Sequence, residues 1–328
     1  MKRRTLIGGL AAGLATGLGG RAIGARPLRS EEAGEIPKRT FGKTGAELTV
    51  IGLASGRFPV IGNDDEAIAL TRRAVELGIN YFDTAHSYWD GHSEEIFGEV
   101  LPACRDRVFL TTKSTDRTKQ GAAAELDLSL KRLKTDYVDL WQVHGIQDEA
   151  DVEKVFAPGG AIEAFEAAKE AGKCRFIGFT GHANPAAHLA MLRAFDRWDT
   201  ILMPLHAADP HYLSFERQVL PLAVEQGLGI QGMKNFANAK LLQQFSVRDC
   251  LSYVLNLPIH CTAVGCTTIG QLEDDVRIAQ SLEELGDEQM ATLRSRAEGL
   301  KGPRLEDWKD DVGPKVGHLP PRPRYTGS

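Results

Sequence analysis

The residues able to do chemistry concentrate in one stretch, 79–114, which reads INYFDTAHSYWDGHSEEIFGEVLPACRDRVFLTTKS. Its pattern is strand, loop, helix, strand, with Asp83 ending the first strand, Tyr88 five residues on and Lys113 ending the second. His144 closes a later apolar run, 137–144. In a barrel of parallel strands the strand ends converge on one face, so these four side chains can meet there. The chemistry they suggest is proton donation by Tyr88 to a carbonyl oxygen while a hydride arrives at the carbonyl carbon. A free tyrosine, with a pKa of about 10, is a poor acid near neutrality. A lysine ammonium ~4 Å away favours the phenolate by roughly 4 kcal/mol at an effective dielectric of about 20, or about 3 pKa units. Asp83 would keep Lys113 charged and in place, and His144 would orient the substrate oxygen. Alone, each residue has a plainer reading: a structural Asp83–Lys113 ion pair, a packing role for Tyr88, a satisfied core histidine at 144. Their occurrence as a set at successive strand ends favours catalysis.

The elements needed to position them recur along the chain. Apolar runs at 48–55, 79–85, 108–113, 137–144, 175–180, 200–205, 229–233 and 261–265 read as buried strands. Amphipathic stretches at 64–77, 93–101, 122–133, 161–171, 185–195, 215–226, 247–255 and 271–282 read as helices, the first capped by Asn63 and stopped by Gly78. Eight such units predict an α/β fold, a (β/α)8 TIM barrel, preceded by a β-hairpin at 36–48 and followed by an extra helix at 287–300. An open doubly wound sheet is the alternative, but no GxGxxG follows a strand. The polar residues expected at the functional face are Ser55, Asp83, Lys113, His144, Thr180, His182, His206, Lys234, Thr267 and Thr268. Trp89, next to the acid, is a natural wall for a substrate pocket.

Composition removes other classes. At 328 residues and 42% hydrophobic the chain can fill a large core, which excludes wholesale disorder. A net charge of −5 with no basic block beyond the first residues leaves nucleic-acid binding without an electrostatic footprint. The five cysteines form no CxxC, and no His, Cys or carboxylate set has metal-ligand spacing, so neither a disulfide framework nor a metal site is expected. The N-terminus differs from the rest: Lys2, Arg3 and Arg4 precede a Gly-rich apolar run and then small residues. This resembles a twin-arginine export signal over 1–25, too short and glycine-rich to be a stable membrane anchor. The expectation is a periplasmic or exported protein that passes folded through the twin-arginine machinery; without the signal the protein would be cytoplasmic. The plan is then signal 1–25, linker 26–37, barrel 38–300 and proline-rich tail 301–328, the tail extended and wrapping the surface, or disordered.

With the strand ends in place, the chain resembles the aldo-keto reductases. Their Asp-Thr-Ala-x-x-Tyr motif stands here as Asp83 to Tyr88, with Lys113 in FLTTKS and His144 in YVDLWQVHG at the following strand ends. The resemblance spans about 36–282 and implies a barrel that binds NADPH without a Rossmann domain and reduces a small-molecule aldehyde or ketone. It also implies a nucleotide site from Thr180, Gly181 and His182, from Lys234, and from Gly265, Thr267, Gln271 and Asp275. At those positions this chain departs from the family. Thr180-Gly181-His182 replaces the usual Ser-Asn, Lys234 follows the strand where a tyrosine is frequent, and Asp275 stands where Asn is common. Nothing basic lies in 265–271, so NADH is the alternative to NADPH unless Lys234 or Arg277 compensates. Two other readings stay open: a barrel that binds nucleotide without turnover, and an isomerase or lyase using the Tyr–Lys pair for proton transfer alone.

Overall fold

The computed structural model describes residues 34–309. The export signal, most of the linker and the tail beyond 309 lie outside the described residues. Within them, eight parallel strands close into a barrel: β3 (Ile51–Ala54), β4 (Tyr81–Asp83), β5 (Phe109–Ser114), β6 (Val138–Val143), β7 (Cys174–Thr180), β8 (Thr200–Pro204), β9 (Gly229–Met233) and β10 (Cys261–Val264), with β10 pairing both β9 and β3. The preceding hairpin pairs β1 (Lys38–Thr40) antiparallel with β2 (Glu47–Thr49). Its Phe41, fully buried, meets Phe109 edge-on at 5.6 Å and approaches Gly229 so closely that a Cβ there would lie 2.7 Å from the ring. The hairpin therefore plugs the end where the strands begin, and chemistry is left to the other end.

The helices cover the outside: α1 (Phe58–Ile61), α2 (Asp64–Glu76), α3 (His92–Gly98), α4 (Lys119–Leu133), α5 (Glu149–Phe156), α6 (Ala161–Glu170), α7 (Pro185–Ala194), α8 (Phe215–Gln218), α9 (Leu220–Glu225), α10 (Val247–Leu255), α11 (Ile269–Gln280) and α12 (Asp287–Ala297). α2 shows why the sequence pattern works. The Asn63 side chain accepts from Glu66 N–H, three acids in the first turn complement the helix dipole, and Ala67, Leu70, Thr71 and Ala74 turn one face to the barrel. Each fully buried aliphatic side chain on such a face contributes about 1.5–3 kcal/mol.

Three expectations need correction. The helix expected at 215–226 is broken into α8 and α9, because Pro221 supplies no N–H to continue the first. α5 was not expected at all; it starts on Asp148, whose side chain accepts from Asp151 N–H. Residues 301–309, expected to wrap the surface as an extended tail or to be disordered, do lie on the barrel, but as tight turns that bury Leu305, Glu306, Trp308 and Lys309. No helix among the described residues is long and apolar enough to cross a membrane.

Candidate active site

Strand register brings the first two groups together. β4 pairs with β5 so that Asp83 lies opposite Thr111, and the ends of both strands then place Asp83 and Lys113 side by side in the barrel. Lys113 Nζ donates to Asp83 Oδ1 at 2.6 Å and to the Thr84 carbonyl at 2.7 Å, in full burial. The other Asp83 oxygen accepts from Tyr81 Oη at 3.1 Å, and Tyr81 accepts from Gln231 Nε2, which is itself reached through Gln142. A hydrogen-bonded chain across the barrel interior thus fixes the carboxylate that fixes the lysine. Burial opposes the Lys113 charge, but Asp83 and then Tyr88 hold its pKa above the ordinary value, so it stays an ammonium.

Tyr88 arrives by a short turn. Its N–H donates to the Ala85 carbonyl and His86 N–H to that of Lys113, which tethers the loop to both strand ends. Trp89 and Asp90 follow with φ of 51° and 54°, a left-handed conformation that non-glycine residues rarely adopt. Arg132 steadies it by donating to the carbonyls of His86 and Asp90. Gly56 leaves room for the phenol: a Cβ there would lie 3.2 Å from the Tyr88 ring. Lys113 Nζ lies 5.0 Å from the centre of that ring, and the His144 ring meets it edge-on at 5.5 Å. The four predicted residues are therefore gathered at one mouth.

One expectation about their electrostatics needs correction. Burial first, and Asp83 in addition, push the Tyr88 pKa up, and the pull of Lys113 in the other direction does not reverse this. The Lys113 charge is largely answered by Asp83 at 2.6 Å, so less of it reaches the phenol than a two-body estimate gives. Tyr88 is consequently a fully protonated donor at neutral pH. Burial, with Lys113 and Arg117 adding to it, drives His144 well below the ordinary imidazole range and keeps the ring neutral. Arg117 was missed by the sequence analysis. It grips Asp151 of α5 in a two-pronged ion pair at 2.8 and 2.9 Å and donates to the His144 carbonyl at 2.7 Å.

The expected nucleotide residues divide by role. Thr180 ends β7 buried, and its carbonyl accepts from Ile146 N–H. Gly181 is required by packing, since a Cβ would lie 2.2 Å from the Ile146 carbonyl oxygen. His182 is kept neutral by burial and by Lys234, His144 and Lys113, which places it in the same electrostatic cluster. Thr267 and Gln271 are engaged with each other: Gln271 Oε1 accepts from Thr267 N–H at 2.8 Å and Oγ1 at 3.1 Å. Asp275 is buried beside the Cys266 thiol, and desolvation raises its pKa to about 7. Arg277 is committed to an ion pair with Asp274. Lys234, at the end of β9, donates to Asn238 at 3.1 Å; burial, and then Arg57, lower its pKa to about 8. Arg57 comes from the loop after β3 and packs against Gly265. Trp89 leans edge-on against His92, ring centres 4.6 Å apart, beside the Tyr88 turn.

Residues 61–249 match the family described as Aldo/keto reductase family. The chain belongs to this family. It is an oxidoreductase of the aldo-keto reductase type. Among its relatives is L-galactose dehydrogenase of Arabidopsis thaliana, 28% identical over 78% of this chain and 92% of the relative. Another is the uncharacterized oxidoreductase YqkF of Bacillus subtilis, 26% identical over 79% of this chain and 95% of the relative. An aldo-keto reductase from Klebsiella pneumoniae, solved in complex with NADPH, shares the fold with a TM-score of 0.66 at 24% identity, covering 84% of this chain and 100% of its own. The reductase family accounts for the closed eight-stranded barrel.

Proposed function

We propose that this reductase converts an aldehyde or ketone to the alcohol with a reduced nicotinamide dinucleotide, and that Tyr88 is the proton donor. The observation that carries the reading is the protonated Tyr88 phenol beside a fully buried Lys113–Asp83 pair, with a neutral His144 ring against it. The substrate oxygen would accept from Tyr88 Oη and from the His144 N–H, which fixes its direction. As the phenol gives up its proton, the Lys113 ammonium stabilises the phenolate, and Asp83 keeps the ammonium from moving away. The dinucleotide, when bound, supplies the hydride.

The residues present fit such a group. Lys234 and Arg57 stand near each other at the ends of β9 and β3, and the carboxylate that acts on Lys234, Asp307, makes its ion pair with Lys240. Two cations that repel each other at the mouth of a barrel suit a diphosphate. That the Klebsiella pneumoniae aldo-keto reductase was solved with NADPH supports a nicotinamide dinucleotide as the group bound. NADH remains the alternative, because the loop 265–271 has no basic residue and Arg277 is paired with Asp274. The export reading rests on the Lys2–Arg4 leader, and fractionation of cells expressing the full chain tests it.

A thermal melt of nucleotide-free protein with NADPH, NADH or neither is the direct test. Ligand at about 100 times its Kd adds ~2.7 kcal/mol, roughly 5 °C in Tm for a domain of this size. A larger shift with one nucleotide identifies the cofactor; no shift with either refutes the dinucleotide reading.

A further inference from the structure

The segment 302–309, which the sequence marked only as tail, is locked onto the catalytic end of the barrel by buried charge. Lys309 pairs with Asp209 and with Glu306, the latter at 2.5 Å, and donates to the Tyr212 carbonyl at 3.0 Å. Glu306 Oε1 lies 3.1 Å from His206 Nε2, just beyond the end of β8. All four side chains, Asp209, Glu306, Lys309 and His206, are fully buried. Groups this costly to desolvate hold one geometry, since separating a buried pair exposes each partner to an uncompensated charge. A second tether is Lys240, which donates to the carbonyls of Arg304 and Leu305 and pairs with Asp307.

What this arrangement fixes is Trp308. Its ring packs edge-on to His206 at 6.0 Å and lies under Lys234, whose Nζ is 5.3 Å from the ring centre. The indole N–H is buried and has no hydrogen-bond partner among the described residues. The ring is therefore retained for its face and its volume, not for a donated hydrogen bond. Arg57 and Lys240 oppose the Lys234 charge, and Asp307 of the same segment favours it but makes its ion pair with Lys240. An aromatic face is a surface that can steady an ammonium without neutralising it for an incoming anion.

We infer that Trp308 is a positioning residue for Lys234, and that the buried charges of the 302–309 segment make this segment part of the nucleotide site. The inference rests on the proposed reading that Lys234 meets the dinucleotide. It predicts that Trp308→Leu, which keeps bulk and removes the aromatic face, weakens NADPH binding by roughly three- to tenfold. Trp308→Phe, which keeps an aromatic face, should retain most of the affinity.

The experiment is a double-mutant cycle in NADPH affinity, by titration calorimetry of the full chain, over wild type, Trp308→Leu, Lys234→Met and the pair, with Trp308→Phe as the rescue. The expected result is that Trp308→Leu has its effect only where Lys234 is present. An equal loss in the Lys234→Met background shows a merely structural role and overturns the inference, as does a Trp308→Leu protein that binds like wild type. Those results leave the dinucleotide reading standing if Lys234→Met still weakens binding. Wild-type protein that binds no NADPH and no NADH overturns both.

Discussion

Replacing Lys113 by Met removes the cation beside Tyr88 and leaves Asp83 ionised, buried and supported only by the Tyr81 hydroxyl at 3.1 Å. Two unit charges about 3 Å apart attract by roughly 5–6 kcal/mol at an effective dielectric of about 20, an attraction offset in the folded protein by the desolvation of both groups. Removing one partner forfeits the attraction and keeps the desolvation of the other. Lys113→Met should therefore destabilise the barrel by about 3–5 kcal/mol, a fall in Tm on the order of 6–10 °C. Adding Asp83→Asn removes the stranded charge while its amide can still accept from Tyr81. The double variant should then recover to within about 1.5 kcal/mol of wild type. Urea unfolding of wild type, Lys113→Met, Asp83→Asn and the double variant, compared by midpoint at constant slope, reads the cycle. Stability and activity should separate: the double variant is stable, but carbonyl reduction does not return, because the phenolate has lost its cation. A single Lys113→Met variant that loses less than about 1 kcal/mol, or a double variant no more stable than the single, refutes the view that these groups hold each other in place.

Arg117→Gln should release the His144 carbonyl and remove one of the charges that keep the ring neutral, lowering kcat by roughly tenfold through misplacement. Its NMR titration should show the His144 pKa moving up toward the ordinary value, with Arg117→Lys moving it less; an unchanged titration in Arg117→Gln contradicts this role. A second prediction concerns acid stability. Burial holds His188 down to about 4, below the ordinary 6.5, and lowers His144, His182 and His260 as well. The unfolded chain therefore binds more protons than the folded one below about 6.5, so stability is full above that pH and falls as acid is added. For His188 the slope reaches about 1.4 kcal/mol per pH unit, or ~3 kcal/mol over the window down to about 4. His188→Phe, placed between Phe179 and Phe215, should flatten the curve of stability against pH, and a curve that overlies wild type rules out this source.

The barrel was legible because its signals are local. Asn63 and Gly78 bracket α2, the apolar runs mark the strands within a few residues, and Asp83, Lys113 and His144 fall at strand ends by counting alone. What escaped depends on contacts far apart in sequence. Arg117 acquires its meaning from Asp151 and the His144 carbonyl, Arg57 from Gly265 and Lys234, and Trp308 from Lys234 and His206. No periodicity records such meetings. α5 differs: Asp148 is a readable cap, but a helix of 8 residues gives barely two turns of periodicity to read. The Tyr88 pKa was misjudged for a physical reason, since counting Lys113 without Asp83 and burial overstates the cation.

Tyr88 is proposed to supply the proton for a nucleotide-dependent reduction. Single-turnover oxidation of the reduced nucleotide by an aldehyde panel, in wild type and Tyr88→Phe matched for folding and nucleotide affinity, tests it most directly. Tyr88→Phe should bind nucleotide normally and lose roughly 10²–10⁴ in rate. Undiminished turnover in Tyr88→Phe would contradict it.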